Sequence, residues 1–411
     1  MQLPGLKTDD IYLPAKQVDP RLWAVVACDQ YTSQPDYWQR VADLVGEHPS
    51  TLHIVQPEID LEHAAGRIPA IHEAMRKYLA DGTLVCGVHN GFTLTRRTTA
   101  SGTRLGLVAA VDLEAYDFTP GANALIRATE GTIQERIPPR MRIREGAILE
   151  CPHVMLLLDD PDCTVIEPVA AALQNETPLY DFDLMENGGH LRIQAVEGAL
   201  IESVAESLNA LLQKSDGFLY AVGDGNHSLA TAKACWEVIK QTLSEAEKKV
   251  HPARYALAEI VNLHSPALVF EPIHRVLFGC KAKDVIAAYG EYLKEKGMSL
   301  TDGTEITFVD SESEAGFQVV NPVNPLPVAV LQPFLDAYLL KHPEIRIDYV
   351  HGDEAVKAIC RQENTVGILL PAIDKSALFP AVRAGGVLPR KTFSMGEANE
   401  KRFYMECRKI G

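Results

Sequence analysis

The amino-acid sequence predicts an α+β fold, and three observations point there. Short apolar runs rich in β-formers, at 84–88, 92–96, 105–111 and 153–158, are separated by glycine-containing or polar turns. Other segments, at 68–79 and 196–212, place apolar residues on one helical face instead, as with Ile68, Ile71, Met75 and Leu79. The two kinds of segment mix without a regular strand–helix alternation. With 411 residues the chain has room for several compact units. Changes in texture divide it into an N-terminal α/β unit at 1–115, a core at 116–279 and a C-terminal α/β unit at 280–411.

The first unit opens with expected strands at 23–27 and 52–55, then the helix at 68–79 and the three strands after it. Within 116–279, the strand at 153–158 leads to helices at 166–173 and 196–212. A buried strand at 218–222 comes next, with an Ala-rich helix behind it. Runs at 255–263 and 267–270 predict a strand pair joined at His264-Ser-Pro266. Beyond 280 the pattern gives helices at 282–296 and 331–340, a strand at 345–350, another at 368–370, and a polar tail from Val387.

Composition narrows the function. A net charge of −16 opposes an extended nucleic-acid partner, which calls for a basic face. No run of apolar residues reaches the length of a membrane span. The eight cysteines form no Cys-x-x-Cys pair and sit beside apolar residues, which fits a reducing, cytoplasmic setting. A small-molecule substrate is the expected partner.

The densest chemistry lies in Gly223-Asp-Gly-Asn-His-Ser228, between the strand ending at Val222 and the Ala-rich helix. Asn226 or Ser228 is placed to cap that helix, whose unpaired N–H groups and dipole favour an anion. Gly223 and Gly225 let a phosphate approach the backbone, Asp224 offers a metal ligand, and His227 offers a proton carrier. A plain structural turn also uses glycines and a cap, but it has no need of adjacent Asp, Asn and His. The spacing is neither the dinucleotide fingerprint, since Ser228 replaces the third glycine, nor a P-loop.

Three other groups stand out. Glu130, beside Thr132, offers a base toward a hydroxyl. Arg136, Arg140, Arg142 and Arg144 crowd around Pro138-Pro139, and an extended segment would put 140, 142 and 144 on one face to grip phosphate or carboxylate. Ion pairing with neighbouring acids explains them equally well. His274-Arg275 comes after a strand-ending proline, and Lys391-Thr392 is a further cation and hydroxyl.

These segments, taken in order, resemble the DUF1015 family. The resemblance rests on Cys28-Asp-Gln-Tyr31, His53-Ile-Val-Gln-Pro-Glu58, Ile126-Arg-Ala-Thr-Glu-Gly-Thr132, Gly223-Asp-Gly-Asn-His227, Pro272-Ile-His-Arg275 and Leu388-Pro-Arg-Lys-Thr392. That family in turn is similar to the superfamily of ParB partition proteins, sulfiredoxins and free serine kinases. The resemblance implies a ParB/free-serine-kinase-like mixed α/β core. The superfamily turn reads Asp-Gly-His-His-Arg: Asp224, Gly225 and His227 match it, while Asn226 and Ser228 stand where its first His and its Arg would be.

By position, the resemblance implies a nucleotide-dependent kinase, a phosphotransferase acting on a small hydroxylated metabolite, with serine favoured. Its cofactors would be ATP or ADP and Mg²⁺, the metal on Asp224. Glu130, with Thr129 in place of His, would be the base, alongside Asp224 and His227. Gly223, Gly225, Asn226, Ser228 and Arg275 would hold phosphate, and Arg275 or a residue of 136–144 would replace the Arg missing at Ser228. His274, Arg142, Arg144, Lys391 and Thr392 would bind substrate. The alternatives are a phosphoserine phosphatase and a ParB-like nucleotide-binding regulator. Sulfiredoxin-like chemistry needs a reactive cysteine at the turn, where Asn226 stands instead.

Overall fold

A computed structural model describes residues 2–389 and 391–411, so Arg390 lies outside the described residues. The chain is a mixed α/β protein whose contacts gather into two compact units, Met1–Val269 with Gly396–Gly411, and Phe270–Met395.

The strands of the first unit are β1 (Leu6–Lys7), β2 (Asp9–Pro14), β3 (Leu84–Thr99), β4 (Gly102–Asp112), β5 (Tyr116–Asp117), β6 (Ile126–Ala128), β7 (Leu149–Glu150), β8 (Met155–Leu158), β9 (Tyr180–Asp183), β10 (His190–Val196), β11 (Tyr220–Asp224) and β12 (Tyr255–Asn262). One sheet runs in the order β5-β6-β11-β8-β12-β4-β3-β10-β9, with β1 on β4 and β2 on the first half of β3. Its helices are α1 (Pro20–Trp23), α2 (Pro35–Val45), α3 (Ala64–Ala80), α4 (Ile137–Arg144), α5 (Ile166–Ala172), α6 (Ala199–Lys214), α7 (Asn226–Ile239) and α8 (Glu245–Val250).

The second unit carries β13 (Phe270–Phe278), β14 (Ser299–Val309), β15 (Glu314–Val320), β16 (Arg346–His351), β17 (Thr365–Leu369) and β18 (Phe393–Met395). They form a sheet ordered β15-β14-β17-β13-β16, with β18 on β13. Helices α9 (Ala282–Glu295), α10 (Pro327–Lys341), α11 (Asp353–Ile359) and α12 (Lys375–Gly385) complete it. The last strand, β19 (Arg408–Lys409), pairs with β7 in the first unit.

Burial explains the large sheet. Every residue of β12 is buried, so its mostly apolar run, broken by Glu259 and Asn262, does not alternate between buried and exposed positions. Ala256, Ala258 and Ile260 face a core shared with Val204 and Leu208 of α6 and Leu229 and Trp236 of α7. On the opposite parity, Glu259 is buried against Arg402, with Nη1 2.6 Å from Oε2. Arg402 also binds Glu406 at 2.5 Å, and Arg408 binds Glu150 at 2.7 Å. Phe403, Tyr404, Met405 and Cys407 join a second core with Trp23, Val41 and Ile193. The polar tail expected from Val387 is therefore corrected: its last part is core, fixed by buried ion pairs.

Other expectations change for local reasons. The strand expected at 23–27 is the end of α1, which Asp19 caps and Pro20 starts, followed by a single bridge at Val26 to Phe403. The strand expected at 52–55 is a 3₁₀ turn, Thr51–His53, capped by Ser50. The runs at 255–263 and 267–270 do not pair: β12 lies between β4 and β8, and Phe270 starts the second unit. The division at 115/116 does not fall between units either, because β3 and β4 bond to β10 and β12 in one sheet. Among the described residues, no helix is long and apolar enough to cross a membrane.

Candidate functional site

The turn after β11 is tighter than its six-residue pattern suggests. β11 runs through Asp224, with a register shift against β8 between Val222 and Asp224 that leaves Gly223 at a bulge. One residue, Gly225, then turns the chain in the left-handed conformation at φ 77°, and α7 starts at Asn226. A Cβ on Gly225 would stand 3.0 Å from the Cα of Val154, so this position has neither the angle nor the space for a side chain. The Leu229 N–H closes the first helical turn onto the Gly225 carbonyl at 2.9 Å. The N–H groups of Asn226, His227 and Ser228 have no carbonyl one turn back, so the helix presents them and its positive dipole end to an anion.

Neither expected cap acts as one. Ser228 is the third residue of the helix, and Asn226 is buried at the first position. The Asn226 side-chain Oδ1 accepts the Thr129 N–H at 3.3 Å, and the Thr129 hydroxyl donates to the Val222 backbone carbonyl at 2.6 Å. These bonds tie the turn to the end of β6, whose Ala128 lies opposite Val222 in a parallel pair. Glu130 comes directly after and is half-buried, so the topology brings it beside the turn. The Thr132 hydroxyl is buried with no hydrogen-bond partner among the described residues, an atom a bound ligand would satisfy.

Charge at the turn comes from distant parts of the chain. Lys401 Nζ lies 3.3 Å from Asp224 Oδ2, while Oδ1 accepts the Gly225 N–H at 2.9 Å. Burial raises the Asp224 carboxyl, but Lys401, His153 and these hydrogen bonds outweigh it and hold the group below its ordinary value. His153 is buried, with Nδ1 2.8 Å from the Tyr404 hydroxyl and Nε2 3.6 Å from Asp29. Tyr404 Oη in turn accepts the Cys28 N–H at 3.0 Å. Burial, then Asp29, pushes the Cys28 thiol well up, so it is not the low-pKa thiolate that sulfur chemistry requires.

His227 is held neutral. Its Nε2 accepts the Ile133 N–H at 3.2 Å. Burial, followed by the charges of Arg136 and Arg140, lowers its pKa to about 4. The extended arginine segment expected at 140–144 is corrected: Ile137–Arg144 is helix α4, since Pro138 and Pro139 occupy first-turn positions that need no N–H partner. Helical spacing puts 136, 140 and 144 on one face, and α4 packs against α7. Arg140 Nε binds Glu58 Oε1 at 2.9 Å, and Arg144 binds Glu150 at 2.6 Å. Arg142 is exposed and points elsewhere on the helix.

The remaining expected residues belong to the second unit, and Arg275, His274 and Thr392 have partners within it. Arg275 is fully buried, with Nε bonded to Gln332 at 3.0 Å and its guanidinium 5.3 Å from the Tyr349 ring. His274 accepts the Leu370 N–H at 3.1 Å and faces Asp353 at 2.8 Å. The Thr392 hydroxyl donates to the Pro389 carbonyl, and Lys391 is exposed with φ 56°. The cations that accompany the turn within its own unit are instead Lys401, Arg136 and Arg140.

A resident Mg²⁺ does not fit Asp224. One oxygen faces an ammonium and the other a backbone N–H, and the described carboxylates do not gather three ligand atoms around it. A divalent ion on the same carboxylate would stand within a few ångströms of Lys401, and like charges repel strongly away from water. A cleft of about 830 Å³ opens beside the later turns of α7, lined by Tyr116, Phe118, Met141, Lys233 and Val238. It does not include the turn itself.

Sequence reasoning missed Asp29, Glu58, His153, Lys401 and Tyr404. Two of them sit in the segments around Cys28 and Pro57, where a motif was visible without a role. Lys401 and Tyr404 carried one faint signal, the apolar residues Phe403, Met405 and Cys407 at every second position, which marks a buried extended segment.

The fold and site together define a mixed α/β protein with a strand–glycine–helix turn flanked by cations. The chain belongs to the family described as "Protein of unknown function (DUF1015)", which matches residues 11–338. Among solved structures, a free serine kinase variant in complex with AMP is similar at 12% identity and a TM-score of 0.39, covering 72% of this chain and 90% of its own. A conserved hypothetical protein from Pyrococcus furiosus is similar at 12% identity and a TM-score of 0.36, covering 74% and 94%. C-terminally truncated SbnI from Staphylococcus aureus is similar at 11% identity and a TM-score of 0.35, covering 70% and 83%. No curated protein matches the chain.

Proposed function

We propose that the first unit binds a nucleotide by its phosphates at the N-terminus of α7 and transfers a phosphoryl group to a small hydroxylated metabolite, with serine the favoured acceptor. The observation behind this reading is that unpaired helix N–H groups, Lys401, Arg136 and Arg140 all serve one turn, next to a half-buried Glu130. Phosphoryl transfer asks for positioning and charge neutralisation more than for covalent chemistry, and this set supplies both. The N–H groups of Asn226, His227 and Ser228 hold phosphate oxygens. Lys401, Arg136 and Arg140 offset the charge that develops in transfer. Neutral His227, with Nε2 occupied as an acceptor, has its Nδ1–H to donate. Glu130 takes the proton of the attacking hydroxyl. The donor is ATP or ADP, and any Mg²⁺ arrives on the nucleotide as part of the substrate.

The test combines binding and turnover. The protein is titrated calorimetrically with ATP and ADP, then incubated with each nucleotide, Mg²⁺ and serine while phosphorus NMR tracks the products. Nucleotide binding with formation of phosphoserine is the expected result. Nucleotide-independent release of phosphate from phosphoserine would replace the kinase with a phosphatase, and binding without turnover would leave a regulatory protein. If neither nucleotide binds, the reading fails.

A further inference from the structure

We propose that Asp10, Cys86 and His89 form a binding site for Zn²⁺ or a similar borderline divalent transition metal. Cys86 Sγ lies 3.2 Å from His89 Nδ1, which lies 3.7 Å from Asp10 Oδ1, and the three ligand atoms are all within 4.8 Å of one another. Zn–S bonds of about 2.3 Å and Zn–N or Zn–O bonds of about 2.0–2.2 Å give tetrahedral edges of about 3.3–3.6 Å. The Cys86–His89 and His89–Asp10 separations bracket those edges, and the third pair, within 4.8 Å, closes to them by side-chain rotation when the ion enters.

The backbone builds this cluster. In a regular strand, residues three apart point to opposite faces, so Cys86 and His89 would not meet. Here the β2–β3 register shifts twice, between Asp9 and Ile11 and again between Ile11 and Tyr12, which puts extra residues into β3 on either side of Val88. Asn90 turns the chain at φ 47°, and its N–H donates to Asp10 Oδ1 at 3.0 Å. That bond orients the carboxylate from outside the coordination sphere, as supporting groups do in metal sites. Bulges of this kind re-aim side chains, and these aim a thiol, an imidazole and a carboxylate at one point.

The ligand types choose the metal. Thiolate and imidazole favour Zn²⁺ and its neighbours over Mg²⁺ or Ca²⁺, which prefer oxygen. Binding replaces the Cys86 thiol proton, which leaves to solvent, and the fourth position remains for water. His89 is largely exposed, so an ion reaches the site directly from solution.

The experiment uses the full chain, stripped with a chelator and titrated with Co²⁺ under reducing conditions. Visible ligand-field bands and a near-ultraviolet thiolate-to-cobalt band are expected, both erased by added Zn²⁺. Cys86→Ser should remove the thiolate band, and His89→Gln or Asp10→Asn should weaken Zn²⁺ by about 10–100-fold or more, measured against a chromophoric chelator. Cys151→Ser is the control: Cys151 and Cys407 have sulfurs 2.8 Å apart elsewhere in the unit, and this variant should keep the band. No cobalt spectrum in the wild type, or a thiolate band that survives Cys86→Ser, overturns the proposal.

Discussion

Lys401 sets its ammonium 3.3 Å from the carboxylate of Asp224, at the strand end that leads into the Gly225 turn. Lys401 thus brings a cation to this turn from a distant part of the chain. Its neighbour Arg402 anchors the backbone at this point, clamped between Glu259 and Glu406.

Lys401→Met should therefore weaken nucleotide binding about tenfold to hundredfold, the loss of one charge-assisted hydrogen bond of about 1.5–3 kcal/mol. Lys401→Arg should recover part of it. Calorimetric titration of the folded variants reads the effect, and an unchanged Kd in Lys401→Met would remove Lys401 from the ligand site.

Glu130→Gln separates catalysis from binding. A general base contributes about 10²–10⁴-fold to turnover, and the amide keeps the size of the side chain while losing its basicity. Turnover should fall by that order with nucleotide affinity nearly constant. A change in affinity alone would make Glu130 a binding group.

The same residues show how far local pattern reaches. The turn was legible because glycine, a polar cluster and an Ala-rich helix are adjacent in sequence, and the helices at 282–296 and 331–340 were legible from apolar spacing. The helix at Ile137–Arg144 was not, because two prolines read as extended chain unless they fall in a first turn. The units were not legible either. The first is left at Val269 and re-entered at Gly396, and a discontinuity of that kind has no local signature. Lys401 and Tyr404 had only a faint local signal, because the Glu259–Arg402 pair that holds the C-terminal segment in the core is a long-range contact.

That pair makes a stability prediction. The two arginines Arg104 and Arg402, against the cost of burial, hold the Glu259 carboxyl at about 2. Arg402→Met leaves Glu259 and Glu406 buried without their shared partner, which should cost about 3–5 kcal/mol. Chemical denaturation reads this directly. A loss below about 1 kcal/mol would mean that Arg104 and water compensate, and that the C-terminal segment is fixed by its apolar residues instead.

His227 gives a signed pH dependence. Its folded pKa of about 4 lies below the ordinary value of 6.5, so between those values the unfolded chain binds more protons. The favourable contribution of a neutral His227 is thus complete above pH 6.5 and falls away as the pH drops toward 4. His227→Gln should flatten the Tm-against-pH curve in that window and leave its shape above pH 7 alone. Identical slopes in wild type and variant would show that the ring is protonated without penalty, contrary to its burial beside Arg136 and Arg140.

Gly225→Ala tests the turn from the backbone. An L-residue at φ 77° carries a left-handed penalty of about 1–2 kcal/mol, and here the added Cβ also meets Val154 at 3.0 Å from Cα and 3.1 Å from Cγ2. Val154 directly precedes β8, beside His153, and the nearest atom is its Cα, so relief would require moving backbone and not a flexible side-chain tip. The variant should lose at least about 1–2 kcal/mol, and the shifted N-terminus of α7 should lose its hold on phosphate. Gly131→Ala is the matched comparison: it is close to Glu130 in sequence, its Cβ would meet nothing within 4 Å, and it should stay near wild type in stability. A Gly225→Ala protein with unchanged Tm and nucleotide affinity would mean that ligand does not use the α7 N-terminus at all.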